Sequence, residues 1–284
     1  MMQYTNRQYQ NSDAISFWEN AEKAVGKCPH IDLQSGTIDE IDIKESIRHA
    51  FHDLTVRTME KNSENKGKSL SYDGMSEACC AQKDGLYTLV DAWIKKTSTF
   101  AFDFDSWHKE ACDQVISFLN QYYVPKDCTY GKAQKIVNMT FKNLYALCVK
   151  KGIADTYTDR FQDCHVPLDS FTLEWFYRND KKNITKGKIL NWSGINAYGD
   201  ENTAWYSAGK SEYYTYFYFQ KKFRSWYPGN PTALQAEFVM WSDIQKEMTA
   251  ESFYFALKNL SKEDRNKFKE LPLAKKLAEI KNAL

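Results

Sequence analysis

The chain has 284 residues, 43% of them hydrophobic and 15% aromatic, and its 38 basic and 37 acidic side chains leave a formal net charge of +1. That length can bury a sizeable core, and the near-balance of charge excludes a histone-like or polybasic binder while leaving local patches open. With only six prolines among so many aromatic residues, an all-α, mostly helical chain with little or no β-structure is expected, folded as one body of two lobes.

In chain order, the polar opening MMQYTNRQYQNSD reads as a flexible N-terminus over 1–12, and a single two-lobed helical domain is expected over 13–284. The opening lacks the charged segment and apolar run of a signal peptide, and no stretch approaches a membrane span. Helices are predicted at 13–25, 42–59 and 75–95, with NSENKGKS at 62–69 as a solvated loop. Trp107, Ala111, Val115, Phe118, Leu119 and Tyr122 recur at spacings of three and four, which predicts a one-sided helix over 106–122. The same test finds Ala133, Ile136, Val137, Phe141, Leu144, Tyr145 and Cys148 in a helix over 132–148. Further helices are predicted at 170–178, 232–248, 250–260 and 262–283, the last interrupted near Pro272. A short hairpin around 189–198, turning at Gly194, is the one β-element expected. The run YYTYFYF at 213–219 suits a strand by propensity, yet the stretch from Ser211 to Tyr227 holds no Gly or Pro, which favours a helix.

The seven cysteines are odd in number and form no CxxC pair, so reduced, mostly buried thiols in a cytoplasmic protein are expected, with no metal and no cofactor. His49 and His52 lie three apart beside Asp53, a spacing open to a metal pair, but a third ligand is lacking. No GxxxxGK[ST], GxSxG, HExxH or GxGxxG occurs, which argues against P-loop NTPases, common serine hydrolases, zincins and Rossmann enzymes.

Two blocks carry potential chemistry: GKAQKIVN at 131–138 and HVPLD at 165–169. Each puts a reactive group at a helix start, Lys135 in the first and Asp169 in the second. The helix dipole disfavours the ammonium there and favours the carboxylate. The region around them is locally basic, with six Lys against Asp127 over 126–151 and five basic residues against Asp180 over 178–188.

The helix at 106–122, the turn VPKDCTYG and the helix from Lys132 resemble, over about a quarter of the chain, the helix-hairpin-helix superfamily of DNA glycosylases. In that family a glycine-bearing hairpin precedes a lysine, a helix and a loop ending in an aspartate at another helix start. GKAQKIVN looks like the hairpin-to-helix motif, with Gly131 as the tight-turn glycine, and VPLDSF looks like the aspartate loop. The chain departs from the pattern in lacking the Leu-Pro-Gly run, in having Ala133 where a second glycine is usual, and in the 34-residue interval from Lys135 to Asp169. The unit would span about 106–178.

The resemblance implies a DNA partner, no membrane, and excision of a damaged or modified base. Asp169 would stabilise the cationic sugar and Lys135, or Lys132 in an alternative alignment, would attack C1′ as a neutral amine of lowered pKa, giving AP lyase activity. An activated water in place of the lysine would give a monofunctional enzyme. Gly131, Lys132 and Gln134 would meet DNA at the hairpin, with Lys221, Lys222 and Arg224 on phosphates, and His165, Trp175 and Phe176 would line the base pocket. Divergence from housekeeping members raises a role in bacterial defence against modified phage DNA. Two plainer readings stand beside this: Asp169 is placed as a helix N-cap, and the aromatic run suits a core. The rival function is a non-catalytic helical protein that binds nucleic acid or another protein.

Overall fold

Most helix starts coincide with a side chain able to accept from the first free amides of the helix. In the computed structural model, which describes residues 8–54, 59–66, 71–100, 103–180, 182–189, 191–196, 205–208, 211–271 and 273–283, the first helix α1 (Asn11–Val25) opens with Asp13 accepting from the Gln10 amide. Asp39 caps α2 (Glu40–Asp53), Ser71 caps α3 (Tyr72–Cys80), and Gly85 precedes α4 (Leu86–Ile94). Asp103 caps α5 (Phe104–Asn120) and Thr129 caps α6 (Tyr130–Lys151), which ends on Gly152 in the left-handed region at φ 74°. A short α7 (Thr158–Phe161) leads to α8 (Ser170–Asn179), capped by Asp169. Strands β1 (Trp205–Ala208) and β2 (Ser211–Tyr214) pair antiparallel, Trp205 opposite Tyr214. Thr215 caps α9 (Tyr216–Trp226), Thr232 and Gln235 form a capping box on α10 (Ala233–Leu257), and Ser261 caps α11 (Lys262–Lys269) before α12 (Leu273–Ala283).

The fold is therefore mostly helical, as expected, and its departures from the predicted elements have local causes. The helix predicted over 75–95 breaks into α3 and α4 because the chain reverses at Gly85, where a Cβ would lie 2.7 Å from that of Gln82. The two helices predicted across 232–260 are one, since no Gly or Pro interrupts α10. The aromatic run divides at Thr215, with Tyr213 and Tyr214 in β2 and the rest opening α9. The hairpin is at 205–214 and not at 189–198, where Trp192–Gly194 forms a 3-10 turn; residues 190 and 197–198 lie outside the described residues. Of the segment expected to be flexible, 1–7 lies outside the described residues, whereas Tyr9 packs on Tyr145 and Phe238, and Asn11 and Ser12 begin α1.

Helix α6 is the axis of the molecule: every residue from Tyr130 to Val149 is buried, and α1, α2 and α5 pack around it. A second, small cluster of Tyr254, Phe255 and Phe268 lies toward the C-terminus. It is tied back by Lys276, which pairs with Glu247 and Glu251, the same carboxylates that Arg178 of α8 binds. All seven cysteines are free thiols, five of them buried. Among the described residues no helix is long and apolar enough to cross a membrane.

The start of α6 is covered. The turn before it is tied to the segment ahead of α3 by Val124 N to Glu60 O at 2.9 Å and by Glu60 N to Asp127 Oδ2 at 2.6 Å. A Cβ on Gly131 would stand 2.0 Å from the Trp192 carbonyl oxygen. Gly131 thus serves the close approach of the 192–194 turn, and the amide-bearing end that the resemblance offers to a phosphate is occupied by the protein's own backbone. Because two backbone segments would have to part, Gly131→Ala should cost about 1–3 kcal/mol and lower the melting temperature by several degrees in a thermal unfolding experiment.

Candidate active site

HVPLD runs as a buried extended segment, and buried backbone requires partners for its N–H and C=O groups. Amide side chains supply them. Gln134 accepts from Leu168 N at 3.2 Å and donates to Leu168 O at 2.8 Å, while Gln220 accepts from Val166 N at 2.9 Å and donates to Val166 O at 2.8 Å. Asn138 adds a second donor to Val166 O at 3.1 Å, and the position between these pairs is Pro167, which has no N–H to satisfy. Gln134 and Asn138 are one turn apart on α6, so the same helix that carries Lys135 fixes the register of the segment that delivers Asp169.

The two reactive groups meet. Lys135 Nζ donates to Asp169 Oδ2 at 3.0 Å, across 34 residues of sequence, with the side chains 11% and 12% exposed. Asp169 Oδ2 also accepts from Trp241 Nε1 at 3.0 Å, and Oδ1 accepts from the amides of Phe171 and Thr172 and from the Thr172 hydroxyl. Asp169 is therefore an N-cap and an ion-pair partner at once. Burial alone would raise its carboxyl, but Lys135 and the Thr172 amide outweigh that and bring it down to about 2. Lys135 moves the other way. Burial disfavours its ammonium, yet Asp169 and then Asp53 hold its pKa above the ordinary lysine value. The lowered pKa expected for a lysine at a helix start is thus reversed, because carboxylates in a low-dielectric site act more strongly than the dipole.

A pocket of about 530 Å³ opens between α1 and α10, lined by Phe17, Asn20, Asp53, Lys142, Phe238 and Trp241 among others; neither Lys135 nor Asp169 lines it, and Trp241 links it to Asp169. Lys142 lies seven residues beyond Lys135, on the same face of α6. It pairs with Glu237 at 2.6 Å in full burial, and its ammonium is 4.3 Å from the Phe17 ring centre, 5.0 Å from Phe238 and 5.3 Å from Trp241. Burial raises the Glu237 carboxyl against the pull of Lys142. Trp241 joins the two halves of the site, since one face walls the pocket and its indole N–H holds Asp169.

The other residues expected at the site are placed elsewhere or otherwise used. Gln134 is fully buried, its amide spent on Gly131 O, Leu168 and Asn138, so it is a clamp and not a DNA contact. Lys132 is 8% exposed at the covered end of α6. Trp175 and Phe176 are core residues packed on Phe223 and Trp226, away from the pocket lining. Lys222 pairs with Asp180 and Arg224 with Asp105, while Lys221 is exposed. His52 binds Asp73 and His49 packs at a tilt against the Trp18 ring, so each is otherwise engaged; among the described residues no group of three His, Cys, Asp or Glu is placed to hold a metal. Asp53 was singled out in the sequence only beside a possible His49–His52 metal pair, and Lys142, Glu237 and Trp241 went unrecognised as site residues, although the seven-residue step from Lys135 to Lys142 and the four-residue step from Glu237 to Trp241 each mark one helix face.

His165 is not a pocket residue but part of a buried relay. Arg224 pairs with Asp105 at 2.8 Å, and Asp105 accepts from His165 Nε2 at 2.7 Å. With that nitrogen protonated, Nδ1 accepts from the Tyr216 hydroxyl at 2.9 Å, and the hydroxyl in turn accepts from Asn138 Nδ2 at 2.8 Å. His108 completes the network, bonded to Asn138 Oδ1 at 2.8 Å and to the Tyr130 hydroxyl at 3.1 Å. Burial holds His165 neutral, with a pKa of about 4 despite Asp105, and lowers His108 as well. The unfolded chain, with histidines near 6.5, binds more protons than the folded one between pH 6.5 and about 4. Stability is fully present above that window and declines as pH falls through it, by about 1.4 kcal/mol per pH unit for each buried neutral histidine. Thermal melts should therefore show a falling melting temperature from pH 6.5 to pH 4.5, and His165→Gln should flatten part of that slope.

The chain matches no protein-family model, no curated protein and no solved structure.

Proposed function

We propose that the protein is a DNA glycosylase-like enzyme that excises a damaged or modified base, with Lys135 as nucleophile and Asp169 as the carboxylate that steadies the cationic sugar. The observation that carries this reading is the convergence of Lys135 and Asp169 at 3.0 Å, with Trp241 joining Asp169 to a pocket with aromatic walls. An oxocarbenium-like sugar needs an ionised carboxylate at neutral pH, and a group held at about 2 supplies one. A flipped base needs flat apolar surface with a few polar groups, and Phe17, Phe238 and Trp241 around the Lys142–Glu237 pair offer that. The base pocket is thus read at the α1–α10 cleft and not at Trp175 and Phe176.

In this reading Lys135 rests as an ammonium. It must lose a proton before its Nζ can attack C1′, and substrate entry must part the ion pair so that the sugar lies between nucleophile and carboxylate. A second reading, a non-catalytic helical protein that binds nucleic acid, is favoured by one specific observation: Asp169 already satisfies three donors of its own helix start and needs no substrate to account for its burial.

The two readings differ in a direct assay. Duplexes carrying a panel of modified bases, incubated with the protein and then treated with alkali, should show strand scission at the modified site. Asp169→Asn should reduce scission by about 100-fold or more; Asn caps a helix nearly as well as Asp, but the change strands the Lys135 ammonium and should also lower the melting temperature, so scission is compared at a temperature where a thermal melt shows the variant folded. Duplex binding with no scission on any substrate would favour the second reading.

A further inference from the structure

The α1–α10 pocket differs in charge between its rim and its floor. At the rim Asp53 and Lys246 are exposed and of opposite sign, and Asp13 is engaged by the Gln10 amide at the start of α1. Among the described lining residues only Phe238 and Lys142 are buried, so the charge at the floor is an ammonium. It lies 4.3, 5.0 and 5.3 Å from the ring centres of Phe17, Phe238 and Trp241, the geometry of an aromatic cage. Such a cage can hold a cationic ligand, but here the protein's own cation fills it. A second positive charge entering the pocket would meet the first between low-dielectric walls, where repulsion is strong.

The same ammonium is short of acceptors. It has three N–H bonds, and its ion-pair partner among the described residues is Glu237, at 2.6 Å. That contact is not aligned as a hydrogen bond, since neither Glu237 oxygen has a hydrogen-bond partner among the described residues. Glu237 does not line the pocket, so a ligand at the floor meets Lys142 first. A buried donor with unfilled capacity is best matched by an oxygen that the ligand brings, through a charge-assisted hydrogen bond.

We propose that Lys142 determines what this pocket accepts: a flat ring that presents an oxo oxygen or an anionic edge to the ammonium, and not a ring that carries a positive charge. The inference rests on the reading of this pocket as the base site. It makes the substrate a neutral oxo-bearing or anionic base and excludes bases made cationic by N-alkylation. Phe17, Phe238 and Trp241 give flat apolar contact that any base could use, and the ammonium supplies the discrimination.

The test is the affinity of the intact protein for three free ring compounds, measured by ligand-observed NMR titration: hypoxanthine, which bears an oxo group, unsubstituted purine, and the permanently cationic 3,9-dimethyladeninium. Each is also titrated into Lys142→Met/Glu237→Leu, in which apolar side chains of like volume replace the buried pair, with a thermal melt to check the fold. Wild type should bind hypoxanthine about tenfold or more tighter than purine, and the cation weakest of the three. In the double variant the preference for hypoxanthine should vanish and the cation should gain about tenfold, because the cage is then free of its own charge. The wild-type titrations decide without the variant: equal affinity for the cation and hypoxanthine, or no binding of any ring, would overturn the proposal. A double variant that keeps the wild-type order would also overturn it. Excision of cationic alkylated bases as fast as oxo-bearing ones would overturn the proposal and leave the glycosylase reading standing. The predicted ring preference with no excision on any duplex would overturn the glycosylase reading and leave Lys142 as the selecting group.

Discussion

A helix buried on every side must find an internal partner for each polar group that it carries, and α6 is such a helix over twenty residues. It bears Lys132, Gln134, Lys135, Asn138, Lys142 and Asn143 in a protein interior, where an apolar residue would cost less. Most are matched by a specific group on another element: Gln134 and Asn138 by the backbone of HVPLD, Lys135 by Asp169, Lys142 by Glu237. Two are not: among the described residues Lys132, at the covered end of the helix, has no ion-pair or hydrogen-bond partner for its side chain, and neither has the Asn143 amide, which nothing in the structure explains. The tertiary arrangement follows from these pairings. The HVPLD segment, the start of α8 and the middle of α10 are placed by what α6 demands.

Such pairing is expensive if one partner is lost. A buried ion pair contributes little net stability over an apolar pair of like volume, whereas removing one member strands a charge. Two buried pairs one heptad apart, Lys135–Asp169 and Lys142–Glu237, are therefore hard to account for as devices of stability alone. Both pairs meet Trp241, whose indole N–H binds Asp169 and whose ring lies 5.3 Å from the Lys142 ammonium on the pocket wall, so the charges next to that wall are already desolvated and oriented.

Much of this was legible in the sequence where the signal is local. Periodicity located α5 and α6 within two or three residues, and Asp169 was recognisable as a cap because Asp before SFTLEW can do little else locally. The pairing of Lys135 with Asp169 was legible from two motifs. What escaped the sequence depends on packing across elements. Nothing in GKAQKIVN reveals that Trp192 and Ser193 close over Gly131, or that the amide of Gln134 faces inward. Trp175 and Phe176 had the composition of a base platform, but aromatic residues serve cores and pockets alike, and only position tells them apart. The direction of the Lys135 shift was misjudged for the same reason, since the dipole is encoded locally and Asp53 and Asp169 arrive from a distance.

The central claim is that Lys135, and no neighbouring lysine, is the group that meets the sugar. Borohydride reduction of the protein mixed with a duplex carrying an abasic site, followed by peptide mapping of the trapped adduct by mass spectrometry, tests it most directly. The account predicts the modification on Lys135 in the GKAQKIVN peptide. Modification on Lys132 or Lys142, or no adduct at all under conditions where the duplex is bound, would contradict it.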